Sequence, residues 1–98
     1  MGRLVFINKV KWVRDFMKDE KKWATEMARW ATLTEKHGLK LMGSGTPWGN
    51  DYHSVNMYVT DKGLDAWNAF TTDVLQNGTP DAWKFVQDFA TDIVSLSE

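Results

Sequence analysis

The residues from Gly43 to Phe70 read Gly-Ser-Gly-Thr-Pro-Trp-Gly-Asn-Asp-Tyr-His-Ser-Val-Asn-Met-Tyr-Val-Thr-Asp-Lys-Gly-Leu-Asp-Ala-Trp-Asn-Ala-Phe. This pattern predicts the end of one strand, a turn, a second strand and the start of a helix. The turn is rich in glycine and also holds a proline and an Asn-Asp pair, which favour positive φ and tight reversals. The stretch therefore predicts a domain that mixes strands and helices.

The strand after this turn, Tyr52 to Thr60, alternates along its length. The face that we expect to meet the helices carries His53, Val55, Met57 and Val59. The opposite face carries Tyr52, Ser54, Asn56 and Tyr58. Thr60 or Asp61 then caps a helix from about Lys62 to Gln76, whose apolar positions lie on one side. These positions are Leu64, Trp67, Phe70 and Val74.

The part of the chain before the turn predicts a strand, a long helix and another strand. The first strand runs from Leu4 to about Trp12, and its even positions are expected to face the helices. These are Leu4, Phe6, Asn8, Val10 and Trp12. The helix spans roughly Asp19 to His37, with one buried face at helical spacing. That face carries Trp23, Met27, Trp30, Ala31 and Thr34, and the solvent side carries Lys22, Glu26, Arg29 and Lys36. Gly38 suits the residue after the helix, and the second strand covers Leu39 to Gly45.

The last part of the chain predicts a short helix and a final strand. Thr79 is an N-cap and Pro80 fits the first helical position, so we expect a helix from Pro80 to about Phe89. A fourth strand follows over Thr91 to Ser97.

The order β-α-β-β-α-(short α)-β predicts an α+β, ferredoxin-like fold with a four-stranded antiparallel sheet and its helices on one face. The chain of 98 residues forms one domain, residues 1–98. The other face of the sheet then exposes Val5, Ile7, Met42 and Tyr58. A second copy of the same sheet would cover these side chains, so we expect a homodimer or a higher oligomer.

Composition excludes several classes of function. The net charge of −1 argues against non-specific nucleic-acid binding, which requires clustered basic residues. The absence of cysteine removes disulfides, thiolate metal ligands and a cysteine nucleophile, and suggests the cytoplasm. The apolar run at the N-terminus is too short for a signal peptide or a membrane span. His37 and His53, without a paired carboxylate at helical spacing, predict no metal site. We expect no cofactor.

With this order of elements, the whole chain resembles the dimeric α/β-barrel superfamily of small ferredoxin-like domains. Gly49-Asn-Asp-Tyr-His-Ser-Val55 resembles the Gly-Tyr-Asp type members. Asn8 resembles the asparagine of the antibiotic-biosynthesis monooxygenase and haem-degrading branches, and Trp67 lies near their tryptophan. Their histidine has no counterpart, since residues 68–98 contain none. The resemblance implies a cofactor-independent monooxygenase-like or isomerase-like protein.

Asn8 and His53 are the candidate catalytic residues. A buried amide among apolar neighbours requires hydrogen-bond partners, either nearby backbone groups or a substrate carbonyl or bound oxygen. The ordinary pKa of histidine suits acid–base chemistry, although a solvent-exposed histidine at a strand end is the simpler interpretation. If both groups face the helices, they open on one pocket with aromatic walls. The candidate substrate-binding residues are Phe6, Trp30, Met57 and Trp67.

Two classes of function remain open at this point. One is a small-molecule enzyme in which Asn8 and His53 polarise an apolar or aromatic substrate within a water-poor pocket. The other is a non-catalytic ligand-binding or assembly module, in which the same six tryptophans only pack or bind.

Overall fold

A computed structural model describes residues 3–75 and 85–96. The strands are β1 (Leu4–Trp12), β2 (Lys40–Gly45), β3 (Ser54–Thr60) and β4 (Val86–Ser95), and the helices are α1 (Arg14–Lys18), α2 (Glu20–Lys36) and α3 (Leu64–Leu75). The strands form one sheet in the order β2-β3-β1-β4, with every neighbouring pair antiparallel. The predicted α+β, ferredoxin-like fold is confirmed.

Helices α2 and α3 cover the same face of the sheet. Trp30 of α2 contacts Trp12 with ring centroids 5.2 Å apart, and Trp67 of α3 stacks on Phe6 at 4.6 Å. Trp12 and Phe6 are both even-numbered residues of β1, whose side chains share one face. The predicted orientation of β1 is therefore correct, and Asn8 lies on the helix side between Phe6 and Val10.

The predicted orientation of β3 is wrong. Residues directly opposite each other in an antiparallel pair share a face, and Tyr58 lies opposite Phe6. Tyr58 contacts Trp67 and Phe70 on the helix side, whereas Met57 is 39% exposed on the outer face. The alternation in β3 did not determine its orientation, because both faces of this strand carry apolar side chains. Turning Tyr58 towards the helices and the valines towards the outer face buries apolar surface as well as the opposite orientation does.

The start of β4 also differs from the prediction. The strand begins at Val86 rather than Thr91, so residues 86–89 extend along β1 instead of ending a helix. Residues 80–84 of that predicted helix lie outside the described residues. The spacing of Val86 and Phe89 fits a helix, but pairing with the long strand β1 outweighs this local preference.

Helix α2 begins and ends close to its predicted limits. The carboxylate of Asp19 accepts a hydrogen bond from the Lys22 amide at 3.0 Å, which caps the N-terminus. Gly38 has φ of 71° and ends the helix, as its sequence position suggests. The prediction that Glu26 and Arg29 face solvent is wrong. The Arg29 side chain reaches the end of α3, and Glu26 is buried beneath it.

Strand β2 contains an irregularity between Leu41 and Gly43. Leu41 lies opposite Tyr58 and Ser44 lies opposite Asn56, so one extra residue stands between two positions that share a face. This β-bulge keeps both Leu41 and Ser44 on the helix side.

Within the described part of the chain, no helix has the length and apolar character needed to cross a membrane.

Burial raises the pKa of Tyr58 to about 12, although a hydrogen bond with Thr34 opposes the shift. The unfolded chain loses this proton near pH 10, before the folded chain does, so stability is complete below pH 10 and falls as pH rises towards 12. We expect urea unfolding to show a loss of about 2–3 kcal/mol over this range. Tyr58→Phe should remove most of this pH dependence, and an unchanged slope would contradict the assignment.

Candidate functional site

Asn8 lies at the centre of β1 and has no solvent exposure. Its side-chain nitrogen donates long hydrogen bonds to the Ala90 carbonyl at 3.4 Å and to Oγ1 of Thr91 at 3.3 Å, both on β4. Its Oδ1 atom is buried, and no described residue donates a hydrogen bond to it. Oδ1 of Asn8 is thus an acceptor without a partner among the described residues, and an O–H or N–H donor would satisfy it.

Trp30 supplies a second buried polar atom without a partner. Its side chain is 4% exposed, and no acceptor among the described residues reaches its Nε1 atom. Its ring contacts Trp12 at 5.2 Å and Phe70 at 6.4 Å. Phe70 also contacts Tyr58, which is paired with Phe6, so Trp30 lies between the aromatic residues near the two ends of β1, on the face that also carries Asn8.

The walls of this region are aromatic. Phe6 and Trp67 stack face to face, with an interplanar angle of 6°, and Tyr58 packs against Trp67 at 5.6 Å. A second aromatic group surrounds Trp12, and Trp30 joins the two. The second group comprises Trp12, Phe16, Trp23 and Phe85. The structure therefore brings four predicted site residues to the helix side of the sheet: Phe6, Asn8, Trp30 and Trp67.

His53 does not join them. Its Nδ1 atom accepts a hydrogen bond from the Trp12 amide at 2.9 Å, and its own amide donates to the Val10 carbonyl at 2.9 Å. Trp12 is four residues from Asn8 along β1, about 13 Å at the usual rise of a strand. His53 fastens the end of the loop to β1, and the predicted convergence of His53 with Asn8 is wrong.

Met57 is also separated from the site, because it lies on the outer face with the odd-numbered residues of β1. Its side chain is near Gly43, where an added Cβ would be 3.6 Å from the Met57 Cε. The prediction that Met57 faces a pocket under the helices depended on the wrong orientation of β3.

Sequence reasoning missed Asn56 and Thr91, the residues paired on either side of Asn8. Both lie on the helix side, because paired residues share a face. Assigning Tyr58 to the helix side of β3 would have assigned Asn56 to the same side. Extending β4 to its full length would have placed Thr91 opposite Asn8. The sequence signal for Asn56 was present, but the assumed orientation hid it.

His37 ends α2, as predicted, and its Nε2 atom is 2.5 Å from Oδ2 of Asp73 on α3. Lys36 also pairs with Asp73 at 3.2 Å. These contacts join the ends of the two helices.

Across residues 3–75 and 85–96, no group of three or more histidine or acidic side chains is placed to hold a metal ion.

Comparison with known proteins supports the fold and goes no further. No protein-family model matches the chain, and no curated protein matches it. Among solved structures, the chain is similar to an uncharacterized NIPSNAP domain protein from Burkholderia xenovorans, with a TM-score of 0.50. The two are 11% identical, over 96% of this chain and 94% of that chain. At this identity the likeness shows a shared ferredoxin-like architecture.

Proposed function

We propose that this protein binds a small, mostly apolar or aromatic molecule on the helix side of its sheet, at Asn8. The observation that carries the proposal is a pair of buried polar atoms, Oδ1 of Asn8 and Nε1 of Trp30, that have no hydrogen-bond partner among residues 3–75 and 85–96. Leaving a buried donor or acceptor unsatisfied costs about 1–3 kcal/mol, so such groups call for a functional explanation. A bound molecule that donates to Asn8 and accepts from Trp30 would satisfy both.

The surroundings define the kind of molecule. Phe6 and Trp67 are buried and stack on each other, so the surroundings of Asn8 are apolar and aromatic, which favours an aromatic ligand. The nitrogen of Asn8 is already bonded to β4, so the ligand meets the oxygen and supplies a hydroxyl or amine hydrogen. A substrate carbonyl would not complete this arrangement. With His53 bonded elsewhere, the geometry supports binding better than acid–base catalysis by Asn8 and His53.

The probe for this proposal is 2-naphthol, with 2-methoxynaphthalene as a partner of similar shape that lacks the hydroxyl hydrogen. We expect 2-naphthol to bind more tightly and Asn8→Leu to weaken it about 3- to 10-fold, the value of one lost hydrogen bond. Calorimetric titration measures both affinities. Because leucine leaves no unsatisfied amide, thermal stability should change little.

Asn68→Leu, on the exposed side of α3, is the matched control and should leave the affinity for 2-naphthol unchanged. Failure of both probes to bind would end the proposal. Equal binding of 2-naphthol by the wild-type protein and Asn8→Leu would return Asn8 to a purely structural role.

We also propose that two copies pair through the outer faces of their sheets. The outer face carries apolar side chains at one end that are at least partly exposed: Ile7, Val55, Met57 and Val94. Val5 and Val59, on the same face, are already buried within the chain. Met57 and Val94 are 39% and 42% exposed. The charged groups at the other end are already paired within the chain, Lys9 with Asp92 and Lys11 with Asp51. A stable interface of this kind buries more than about 1,200 Å².

Sedimentation velocity at micromolar concentration tests this pairing. We expect the wild-type protein to sediment as a dimer and Ile7→Glu as a monomer, because the new carboxylate would be buried without a partner. Leu64→Glu places the same charge at an exposed position of α3, in the helix layer, and should remain dimeric. A monomeric wild-type protein would refute the proposal.

A further inference from the structure

A row of polar residues crosses the helix side of the sheet at the level of Asn8. In the strand pairing, Ser44 of β2 lies opposite Asn56 of β3, Asn56 lies opposite Asn8, and Asn8 lies opposite Thr91 of β4. Because directly paired residues share a face, all four are on the side covered by α2 and α3. Neighbouring members are about 4.8 Å apart, the usual distance between strands.

Pairs of aromatic or apolar residues lie before and after this polar row, on the same face of the sheet. On one side Tyr58 and Phe6 are paired, and on the other Val10 is paired with Phe89. On β1 the row therefore lies between the apolar residues Phe6 and Val10, and its member on that strand, Asn8, is completely buried. A strip of this kind suits a flat ligand whose edge carries more than one polar group.

Asn56 differs from the other polar residues on its face of β3. Ser54 accepts a hydrogen bond from Nε1 of Trp12 at 3.0 Å, and Tyr58 interacts with Thr34. The side chain of Asn56 has no hydrogen-bond partner among residues 3–75 and 85–96, although it is half-buried. Its amide therefore retains both a donor and an acceptor beside the unused oxygen of Asn8.

The row becomes more open towards β2. Asn8 is buried, Asn56 is half-buried and Ser44 is exposed. Leu41, also on the helix side of β2, is 48% exposed, so the helices leave this edge of the sheet uncovered. On the β4 side, Ala90 and Thr91 already hold the nitrogen of Asn8. Within the described part of the sheet, the polar groups beside Asn8 that remain unpaired therefore lie in the direction of Asn56 and β2.

We propose that Asn56 is a second ligand-binding residue, which determines specificity by hydrogen-bonding a polar group one strand spacing from the group held by Asn8. This inference rests on the proposed function, and it adds that the ligand carries two polar groups along one edge and lies across β1 and β3. A ligand with a single polar group binds at Asn8 without using Asn56.

The test compares 2-naphthol with 1,3-dihydroxynaphthalene, whose second hydroxyl is meta to the first and about one strand spacing from it, and with 2,6-dihydroxynaphthalene, whose second hydroxyl is at the opposite end of the molecule. We expect the 1,3-diol to bind the wild-type protein about 3- to 10-fold more tightly than 2-naphthol, the value of one added hydrogen bond, and the 2,6-diol to show no such gain. Asn56→Leu should abolish that preference while leaving the affinity for 2-naphthol unchanged. Asn68→Leu should preserve it. Calorimetric titration gives each affinity, and Asn56→Ser serves as a second variant if the leucine fails to fold.

The outcomes separate this inference from the proposed function. If 2-naphthol binds in an Asn8-dependent manner but the 1,3-diol gains no affinity, or if Asn56→Leu leaves the preference for the 1,3-diol intact, the role of Asn56 is refuted and the proposed function stands. If neither naphthol nor diols bind, both are refuted. Loss of the diol preference on Asn56→Leu with unchanged naphthol binding supports Asn56 as the second contact.

Discussion

Replacing Trp12 with alanine is expected to lower the free energy of unfolding by about 3–5 kcal/mol. Trp12 is 2% exposed and contacts the rings of Phe16, Trp23 and Trp30 at 5.5, 5.0 and 5.2 Å. Its Nε1 atom also donates to Oγ of Ser54 at 3.0 Å. The substitution would remove the side chain that joins β1 to both α1 and α2. Equilibrium unfolding in urea measures the loss.

Trp48→Ala is the matched control for this experiment. Trp48 lies between β2 and β3 and is 94% exposed, so its removal should change stability by no more than about 0.5 kcal/mol. A loss at Trp48 comparable with that at Trp12 would show that the loop contributes to folding through contacts that the single chain does not contain. A small loss at Trp12 would contradict its central place in the core.

Arg29→Met is expected to destabilise the protein by about 3–5 kcal/mol, because it leaves the carboxylate of Glu26 buried without its partner. Glu26 is 4% exposed and holds Arg29 through both oxygens, at 2.6 and 3.0 Å. Arg29 also donates to the carbonyls of Asp73 and Val74 at 3.0 and 2.6 Å, near the end of α3. One guanidinium therefore joins the two helices that cover the site.

A double variant separates the buried charge from the helix contact. Arg29→Met combined with Glu26→Gln removes the unpaired carboxylate, so it should recover part of the loss while the carbonyls near the end of α3 remain uncapped. Equal losses in Arg29→Met and in the double variant would contradict the role assigned to Glu26.

Lys9→Met tests a surface ion pair, Lys9 with Asp92, and should lower the free energy of unfolding by less than about 1 kcal/mol.

The architecture could be predicted from sequence where a pattern had one solution. In the second half of β1, Lys9 and Lys11 alternate with Asn8, Val10 and Trp12, so the even-numbered face was the one to bury and the position of Asn8 followed directly. The long helix was predictable because its aromatic stripe, its cap and Gly38 agree with one another. The contact between Trp67 and Phe6 agrees with the predicted buried faces of β1 and of the helix that carries Trp67.

The prediction failed where local patterns were ambiguous. In β3 the valines and Tyr58 both could be buried, and pairing with β1 decided between them. That single choice moved Met57 outside, brought Asn56 inside and separated His53 from Asn8. Glu26 and Arg29 were assigned to solvent because each is polar alone, whereas together they satisfy one another and two backbone carbonyls. Such reciprocal pairing depends on the position of α3, which the local sequence of α2 does not contain.

The bulge in β2 also affects how this protein avoids aggregation. A regular, flat edge strand presents a row of free amides and carbonyls to which another chain can add. Here the extra residue at Met42 breaks that row midway along β2 and twists the edge. The opposite edge, β4, carries Asp88 and the exposed Asp92, whose charges disfavour the approach of a second identical strand. Both edges thus disfavour the open-ended growth of a sheet by addition of further strands.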